Sequence, residues 1–483
     1  MRLHPVSTPL VLAIALGGCA VGPNYVRPQL DAPKTFVGSA DIVARQGVQP
    51  VDLTRWWDGF HDPLLTSLVD EAERNNLDVA QALARVGQAK AGLNAATATL
   101  LPSGGVQSDV TRTRNSDDVP LGAVGRELGF ARDYTTYEGD LTASWEIDVF
   151  GGSRRGQQAA AASYQASSAG AVAARLAVAA QVADTYVLIR GLQQRLAIAR
   201  EQVDTQRKLV DTVRLQYSKG IAADLQVHQA EGALAQVKST IPVLEQGLID
   251  AMNALDVLLG AQPGTIRTRL VAVQPIPVAP SIADAGGPAD LLRRRPDIII
   301  AERRLAATNA QIGQAMAEYY PKISLSGALG TATSIGSGSL FSANATQAQG
   351  TAGLRWRLFD FGRINAEIKA ARGANAEALA SYRQTVLRAS EDVEDAFTAL
   401  VKRDSQQQVL ADGAQSLARA RDQSEIAYKG GIVSLIEVLD ADSRLLQTRD
   451  AQAQAQTEVA RAAISSFRAL GGGWNPPAQL AQK

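Results

Sequence analysis

The sequence is poor in the residues that build most catalytic and metal sites. Its 483 residues include one cysteine, Cys19, and three histidines, His4, His61 and His228. A single cysteine excludes a disulfide within the chain. His61 and His228 stand far apart, and there is no cysteine–histidine cluster, phosphate-cradling glycine loop or metal-spaced carboxylate set. These absences argue against an enzyme and against a metal or cofactor site. Aromatics are only 5% of the chain, so the 46% hydrophobic share leans on Ala, Leu and Val. Ala and Leu are strong helix formers, and small side chains let helices approach closely. Charge of one sign is also missing, with 48 basic residues against 48 acidic. A neutral chain without a basic patch and interleaved aromatics carries no footprint for nucleic acid. Beyond the N-terminal leader, no segment offers eighteen or more consecutive apolar residues. Such a chain crosses a membrane, if at all, with strands.

What is present begins with an export signal. Arg2 supplies a positive start, Pro9 to Leu16 is a short apolar run, and Leu16-Gly17-Gly18-Cys19 resembles a bacterial lipobox. Residues 1–18 would be removed and the Cys19 thiol lipidated, each buried CH₂ contributing ~0.8 kcal/mol to membrane attachment. With Cys19 consumed, the mature chain forms no disulfide in its oxidising compartment. Trp56-Trp57 reads as a hydrophobic anchor for the N-terminal segment, with a sugar platform as the alternative. Arg293-Arg294-Arg295 reads as the polar start of a helix and not as an anion site.

The rest of the chain is written twice. Trp145-Glu146-Ile147-Asp148-Val149-Phe150-Gly151 lies 211 positions before Trp356-Arg357-Leu358-Phe359-Asp360-Phe361-Gly362. The same offset pairs Tyr217 with Tyr428, Gly220 with Gly431, and Gly260 with Gly471. Upstream the offset is 219, pairing Asp78 with Asp297, Arg85 with Arg304 and Pro102 with Pro321. A loop eight residues shorter in the second copy accounts for the difference.

Each copy follows one plan. A helix (about 64–99, then 296–319) is stopped at Leu101-Pro102 or Tyr320-Pro321 and followed by a strand hairpin, about 103–150 and 322–361. The returning strand puts Tyr137, Gly139, Leu141, Ala143, Trp145, Ile147 and Val149 on one face, opposite Glu138, Asp140, Thr142, Ser144, Glu146 and Asp148. Ala352, Leu354, Trp356 and Leu358 repeat the apolar face against Arg355 and Arg357. About ten residues with one greasy face match a transmembrane β-strand, although a strand in a soluble sandwich alternates identically. Four strands cannot close a barrel and open edges cannot face lipid, so several chains must pool their strands.

Long helical patterns then run over about 152–217 and 363–428, roughly 100 Å each at 1.5 Å per residue. They end at Tyr217-Ser218-Lys219-Gly220 and Tyr428-Lys429-Gly430-Gly431, where glycine suits a left-handed helix end. Return helices of about 222–259 and 433–470 follow. The shorter helices can stack end to end beside the long ones, giving an extended bundle with strands at one end.

Taken together these residues resemble the TolC-like outer membrane factors, in the NodT/OprM-type lipidated branch of RND efflux systems. The resemblance rests on Cys19 followed by Gly22-Pro23-Asn24-Tyr25, on Trp56-Trp57 with Phe60 and Asp62-Pro63-Leu64, and on Ser144 to Gly151. Arg294-Arg295-Pro296-Asp297-Ile298, Tyr428 to Leu446, and Leu470 to Trp474 complete it. It implies a mainly α fold with a transmembrane β part, in which a homotrimer makes a 12-stranded β-barrel continuous with an α-helical barrel. The expected domains are a signal peptide (1–18), a lipidated N-terminal segment (19–63), repeats at 64–260 and 291–471 around an equatorial linker (261–290), and a tail (472–483). Ala20, not being Asp, suits export to the outer membrane. The implied role is the exit duct of a tripartite pump working with a periplasmic adaptor (membrane fusion protein) and an inner-membrane RND-type pump. It needs no cofactor beyond the lipid on Cys19. By position after the turn, the family's periplasmic gate corresponds to Asp440 and Glu437, with Ile436 as an apolar plug. Glu437 departs from the family's aspartate, and Val433 replaces a basic residue found in some relatives, so no ion-pair latch is expected there. The copy-one equivalents are Gln226 and Gln229. Tyr217, Gly220, Tyr428 and Gly431 mark the adaptor-contact tips. A type I protein-secretion outlet and a periplasmic coiled-coil lipoprotein are the alternatives.

Overall fold

A computed structural model of the chain describes residues 20–29, 35–44, 52–282, 287–334, 336 and 339–475. The signal peptide and Cys19 lie outside the described residues, as do parts of the N-terminal segment, linker and tail. The first described helix is α1 (Ser39–Ala44). Copy one continues with α2 (Pro63–Asn75), α3 (Leu77–Ala98), β1 (Ser103–Arg114), α4 (Pro120–Glu127), β2 (Asp133–Ile147), α5 (Gly152–Ser218) and α6 (Asp224–Leu258). Copy two follows with α7 (Pro288–Arg294), α8 (Pro296–Ala317), β3 (Lys322–Thr333), β4 (Thr346–Arg355), α9 (Arg363–Lys429) and α10 (Leu435–Ala469).

The repeat recurs at the level of element bounds. The limits of α3 and β1 return in α8 and β3 at the 219 offset, and those of α5 and α6 in α9 and α10 at 211. α5 and α9 each have 67 residues, so each is roughly 100 Å long. The eight-residue difference falls between the strands of each hairpin, where copy one carries α4, a helix absent from the sequence reading.

Two further expectations are corrected. The helix expected over 64–99 is broken at Asn76, whose backbone is extended (φ −65, ψ 133). Its side-chain oxygen accepts the N–H groups of Asp78 and Val79, capping α3. In copy two the same break falls at Arg295, forced out of helical geometry by Pro296. Val149, Trp356 and Leu358, expected within strands, lie outside them: β2 ends at Ile147 and β4 at Arg355. β2 is central and pairs with β3 as far as Ile147↔Ile323. β4 is an edge strand, and its only partner starts at Lys322, just after Pro321, which has no N–H to donate.

By contacts the chain forms two compact units. One comprises the described residues of Met1–Pro28, Gly87–Ala166 and Glu302–Ser381, and the other those of Gln29–Val86, Ser167–Ala301 and Tyr382–Lys483. The first holds an antiparallel sheet of order β1-β2-β3-β4 with no crossover. The second is helical. In its core Val182, Ala183, Tyr186, Val187 and Ile189 of α5 and Val393, Phe397 and Leu400 of α9 are buried. Ala463, Ile464 and Phe467 of α10 join them there. α5 has an apolar window long enough to cross a membrane, but more than half of that window is buried inside the protein. Trp56 and Trp57 are 1% and 2% exposed, and Trp56 stacks on Phe467 at 5.5 Å. That burial excludes a sugar platform. Arg293 and Arg294 close the last turn of α7, so of the three arginines only Arg295 stands at a helix start, where it pairs with Asp297 and Asp392 (2.6 and 2.8 Å).

Candidate functional site

The strand register puts each alternating pattern on a single face. Val106, Leu141, Leu329 and Ala348 form one row across the sheet, and Gln107, Asp140, Gly330 and Gln347 form a row on the other face. In a sandwich the apolar row would be covered. Here Val106 is 81% exposed, Leu141 59% and Leu329 58%. On the polar face Gln347 donates to Glu138 and Asp140 (2.8 and 2.9 Å), and Gln107 donates to Asp109. The sheet therefore separates an uncovered apolar surface from a hydrogen-bonded, acidic one.

Repeated bonds fix the ends of the sheet. The Trp145 indole donates to the Leu100 carbonyl (3.0 Å), and Trp356 donates to Tyr319 (2.9 Å). Phe150 stacks on Tyr320 at 4.6 Å. Beside this pair the N-terminal segment is held down. Val21 N–H donates to the Phe150 carbonyl, and the buried Arg155 guanidinium donates to Val21, Gly22 and Asn24. The Tyr25 hydroxyl donates to the buried Glu302. Gly22-Pro23-Asn24-Tyr25 thus acts as a staple, and Ala20, the residue after Cys19, rests against Gly151.

In the helical unit, the two helix-to-helix turns share one geometry. Gly220 and Gly431 both have φ +72, the left-handed region open to glycine. The N–H groups of Ile221 and Ile432 reach back to the carbonyls of Gln216 and Ala427, each at 2.9 Å. Ile221, Leu225, Ile432 and Ile436 are exposed around the turns. The tyrosines differ. Tyr217 is exposed, whereas Tyr428 is half-buried and donates to Gln216 of the other copy at 2.7 Å. Val210, Val213, Ala222, Val227, Ala230 and Leu435 form a small core beneath them.

The proposed gate residues sit on the first turns of α10. Ile436 and Glu437 are exposed, and Glu437 lies at the positive end of the helix dipole. Asp440 is also exposed and pairs with Arg444 one turn on, at 2.8 Å. Of the copy-one equivalents, Gln226 accepts the Ala223 N–H and caps α6.

A polar network missed by the sequence reading lies just above. Asp442 is 2% exposed and accepts from Arg421 of α9 (2.9 Å) and Gln206 of α5 (3.3 Å). Burial raises its carboxyl above the usual range, with the Arg421 charge opposing that rise. Arg421 also pairs with Asp422 and Glu425. The available signal was an acid on the stripe Leu435, Val438, Asp442, Leu445, where the 3–4 spacing calls for apolar residues.

A family model described as "Outer membrane efflux protein" matches residues 68–261 and 287–472. Nodulation protein T of Rhizobium leguminosarum bv. trifolii is 30% identical over 479 residues, covering 99% of each chain. The pyoverdine export outer membrane protein OpmQ of Pseudomonas putida is 33% identical over 423 residues, 87% of this chain and 88% of its own. Among solved structures, the outer-membrane channel OprN is similar with a TM-score of 0.86 and 30% identity, over 94% of this chain and 100% of its own.

Proposed function

The chain belongs to the outer membrane efflux protein family and is an outer-membrane efflux channel, and from that membership we propose that it works as a lipid-anchored homotrimeric exit duct. In this reading three four-stranded sheets close one twelve-stranded barrel, and the long helices line a tunnel beneath it. Cys19 carries the lipid, and a periplasmic adaptor joins the duct to an inner-membrane RND-type pump. The cargo is drugs or other small toxic compounds; one relative is named for the export of pyoverdine. The duct performs no chemistry and holds no cofactor. The observation that carries the reading is the four-stranded sheet with an uncovered apolar face and two unpaired edges, because a bilayer tolerates strands only in a closed barrel. Deleting the gene should sensitise cells to several unrelated toxic compounds, and the purified protein should form conducting pores in a planar bilayer. Unchanged susceptibility together with no conductance would reject the reading.

The periplasmic gate is assigned to Ile436, Glu437 and Asp440, brought together by threefold symmetry. Their carboxylates would repel one another and attract cations, while Arg444 offsets part of the Asp440 charge. Surface pairs of this kind are worth about 0–1 kcal/mol, so the pair yields easily when the tip moves. The adaptor would grip the tips at Tyr217, Gly220 and Gly431 with the exposed Ile221 and Ile432; Tyr428 would tie the two turns together. An Asp440→Ala, Glu437→Ala double variant is expected to conduct more and to lose cation block. Conductance and block equal to the wild type would remove both residues from the gate.

A further inference from the structure

A cavity between α5, α6 and α10 lies beside the Asp442 network, apart from the strands and the turns. Arg195 and Gln206 line it from α5, eleven residues and so about three turns apart on one face. Val237 and Leu244 of α6 and Leu439 and Leu446 of α10 supply apolar walls. Each of these pairs is seven residues apart, two turns of one helix face. The cavity measures about 570 Å³, inside the ~300–1,000 Å³ of small-molecule sites. Its walls are mixed, and the mixture constrains an occupant.

Charge is the first constraint. Arg195 is matched by Asp450 in a two-point pair (2.7 and 3.0 Å). Among the described residues no other charged side chain lines the cavity. With its one cation neutralised, the site favours an uncharged molecule.

Hydrogen bonding is the second. Gln206 is 3% exposed. Its amide nitrogen donates to Asp442 at 3.3 Å, and its Oε1 is buried with no donor among the described residues. Buried acceptors are nearly always paired, so this wall calls for one N–H or O–H. We propose that the cavity binds a small, uncharged, amphipathic molecule. Its apolar body lies between α6 and α10, and its donor reaches Gln206 Oε1.

The position gives such a molecule leverage. Leu439 precedes Asp440 of the gate assigned above, and Gln206 shares Asp442 with Arg421 of α9. A ligand touching α5, α6 and α10 together favours the arrangement in which they are close, so it opposes movement of α10. That consequence rests on the gate reading, whereas the binding does not. At ten times its dissociation constant, such a ligand makes the arrangements it does not bind about elevenfold rarer.

N-Phenyl-1-naphthylamine tests the site on the full chain, because it is uncharged, carries one N–H and brightens in apolar surroundings. Titrated into protein held in amphipol, it should give a saturable rise that Ser443→Trp, at the exposed rim, removes. Gln206→Leu keeps the bulk and removes the acceptor, with Arg421 still holding Asp442. It should weaken binding by about fivefold to tenfold. The N-methylated probe has no donor and should bind the wild type and Gln206→Leu equally weakly. In planar bilayers the parent probe, at ten times its dissociation constant, should make wild-type openings about tenfold rarer and leave Ser443→Trp unchanged. An equal rise in the wild type and Ser443→Trp overturns the site. Equal affinity of the wild type for both probes overturns the donor assignment and the class of ligand with it. Binding that leaves the openings unchanged overturns the coupling to the gate. A wild type that never conducts rejects the duct and the coupling, and the fluorescence result still decides the site.

Discussion

Asp442 breaks an apolar stripe near the start of α10, and its partners come from α5 and α9. One carboxylate thus ties three helices together close to the turn that presents Ile436 and Glu437. Removing Arg421 would leave that carboxylate buried without its charged partner, with the Gln206 amide remaining. Arg421→Ala is therefore expected to cost about 3 kcal/mol, the low end for breaking a buried pair, since the arginine keeps some contact with water. Thermal melts followed by circular dichroism measure it, and a loss indistinguishable from that of an exposed arginine would contradict the burial. The pH dependence has a defined sign. Because the folded carboxyl titrates above its ordinary 3.8, the folded state holds the proton more tightly than the unfolded chain does. Stability from this group grows as pH falls through the folded value toward 3.8, and is lost again as pH rises. Compared with Asp442→Asn, which cannot titrate, the wild type should gain relative stability from pH 7 to pH 4. A gap moving the other way would mean that the Arg421 charge outweighs burial.

Among the elements, the breaks before α3 and α8 show how one joint is built by two chemistries. Arg295 is held out of the helix by Pro296, while Asn76, before a leucine, depends on its side chain. That side chain caps Asp78 and Val79 and donates to the Leu258 carbonyl at 2.9 Å. Asn76→Ala should lower stability by roughly 2 kcal/mol, the upper range for a lost cap, and Asn76→Asp should keep most of the capping. A melting temperature unchanged by the alanine would show that the break needs no cap. The same joint marks where sequence reading stops. Period-two alternation and unbroken helical spacing made the strands and the long helices legible, because hydrophobic pattern alone decides them. Asn75-Asn76 inside a helical pattern carries no such mark, since a buried cap and a solvated asparagine look alike in sequence. The end of β4 was hidden for another reason: Trp356 and Leu358 keep the strand pattern, but the pairing with β3 stops at Arg355. At the tips, Gly220 and Gly431 were legible from backbone need. The Arg421–Asp442 pair was not, because its members come from different helices.

For the whole molecule, strand length and connections define a direction across the membrane. β1 has 12 residues, about 40 Å at 3.4 Å each, and with the usual tilt it crosses a hydrocarbon core of ~30 Å. At one end of the sheet the chain arrives from α3 and leaves into α5 and α9. At the other end, among the described residues, the strands are joined through segments 115–132 and 334–345. The first of these is the longer, and it holds α4 with Val124, Leu128 and Phe130 exposed. Barrels in outer membranes place their longer loops outside, which puts α3, α5 and α9 on the periplasmic side of the proposed duct. The loop bearing Asp118 is therefore expected outside the cell, and Thr99, just before β1, inside the outer membrane. A membrane-impermeant maleimide should label Asp118→Cys in intact cells but Thr99→Cys only after the outer membrane is permeabilised, with the wild type, which has Cys19 alone, as the blank. Labelling of Thr99→Cys in intact cells, with Asp118→Cys protected, would reverse the orientation and put the helices on the wrong side for any pump.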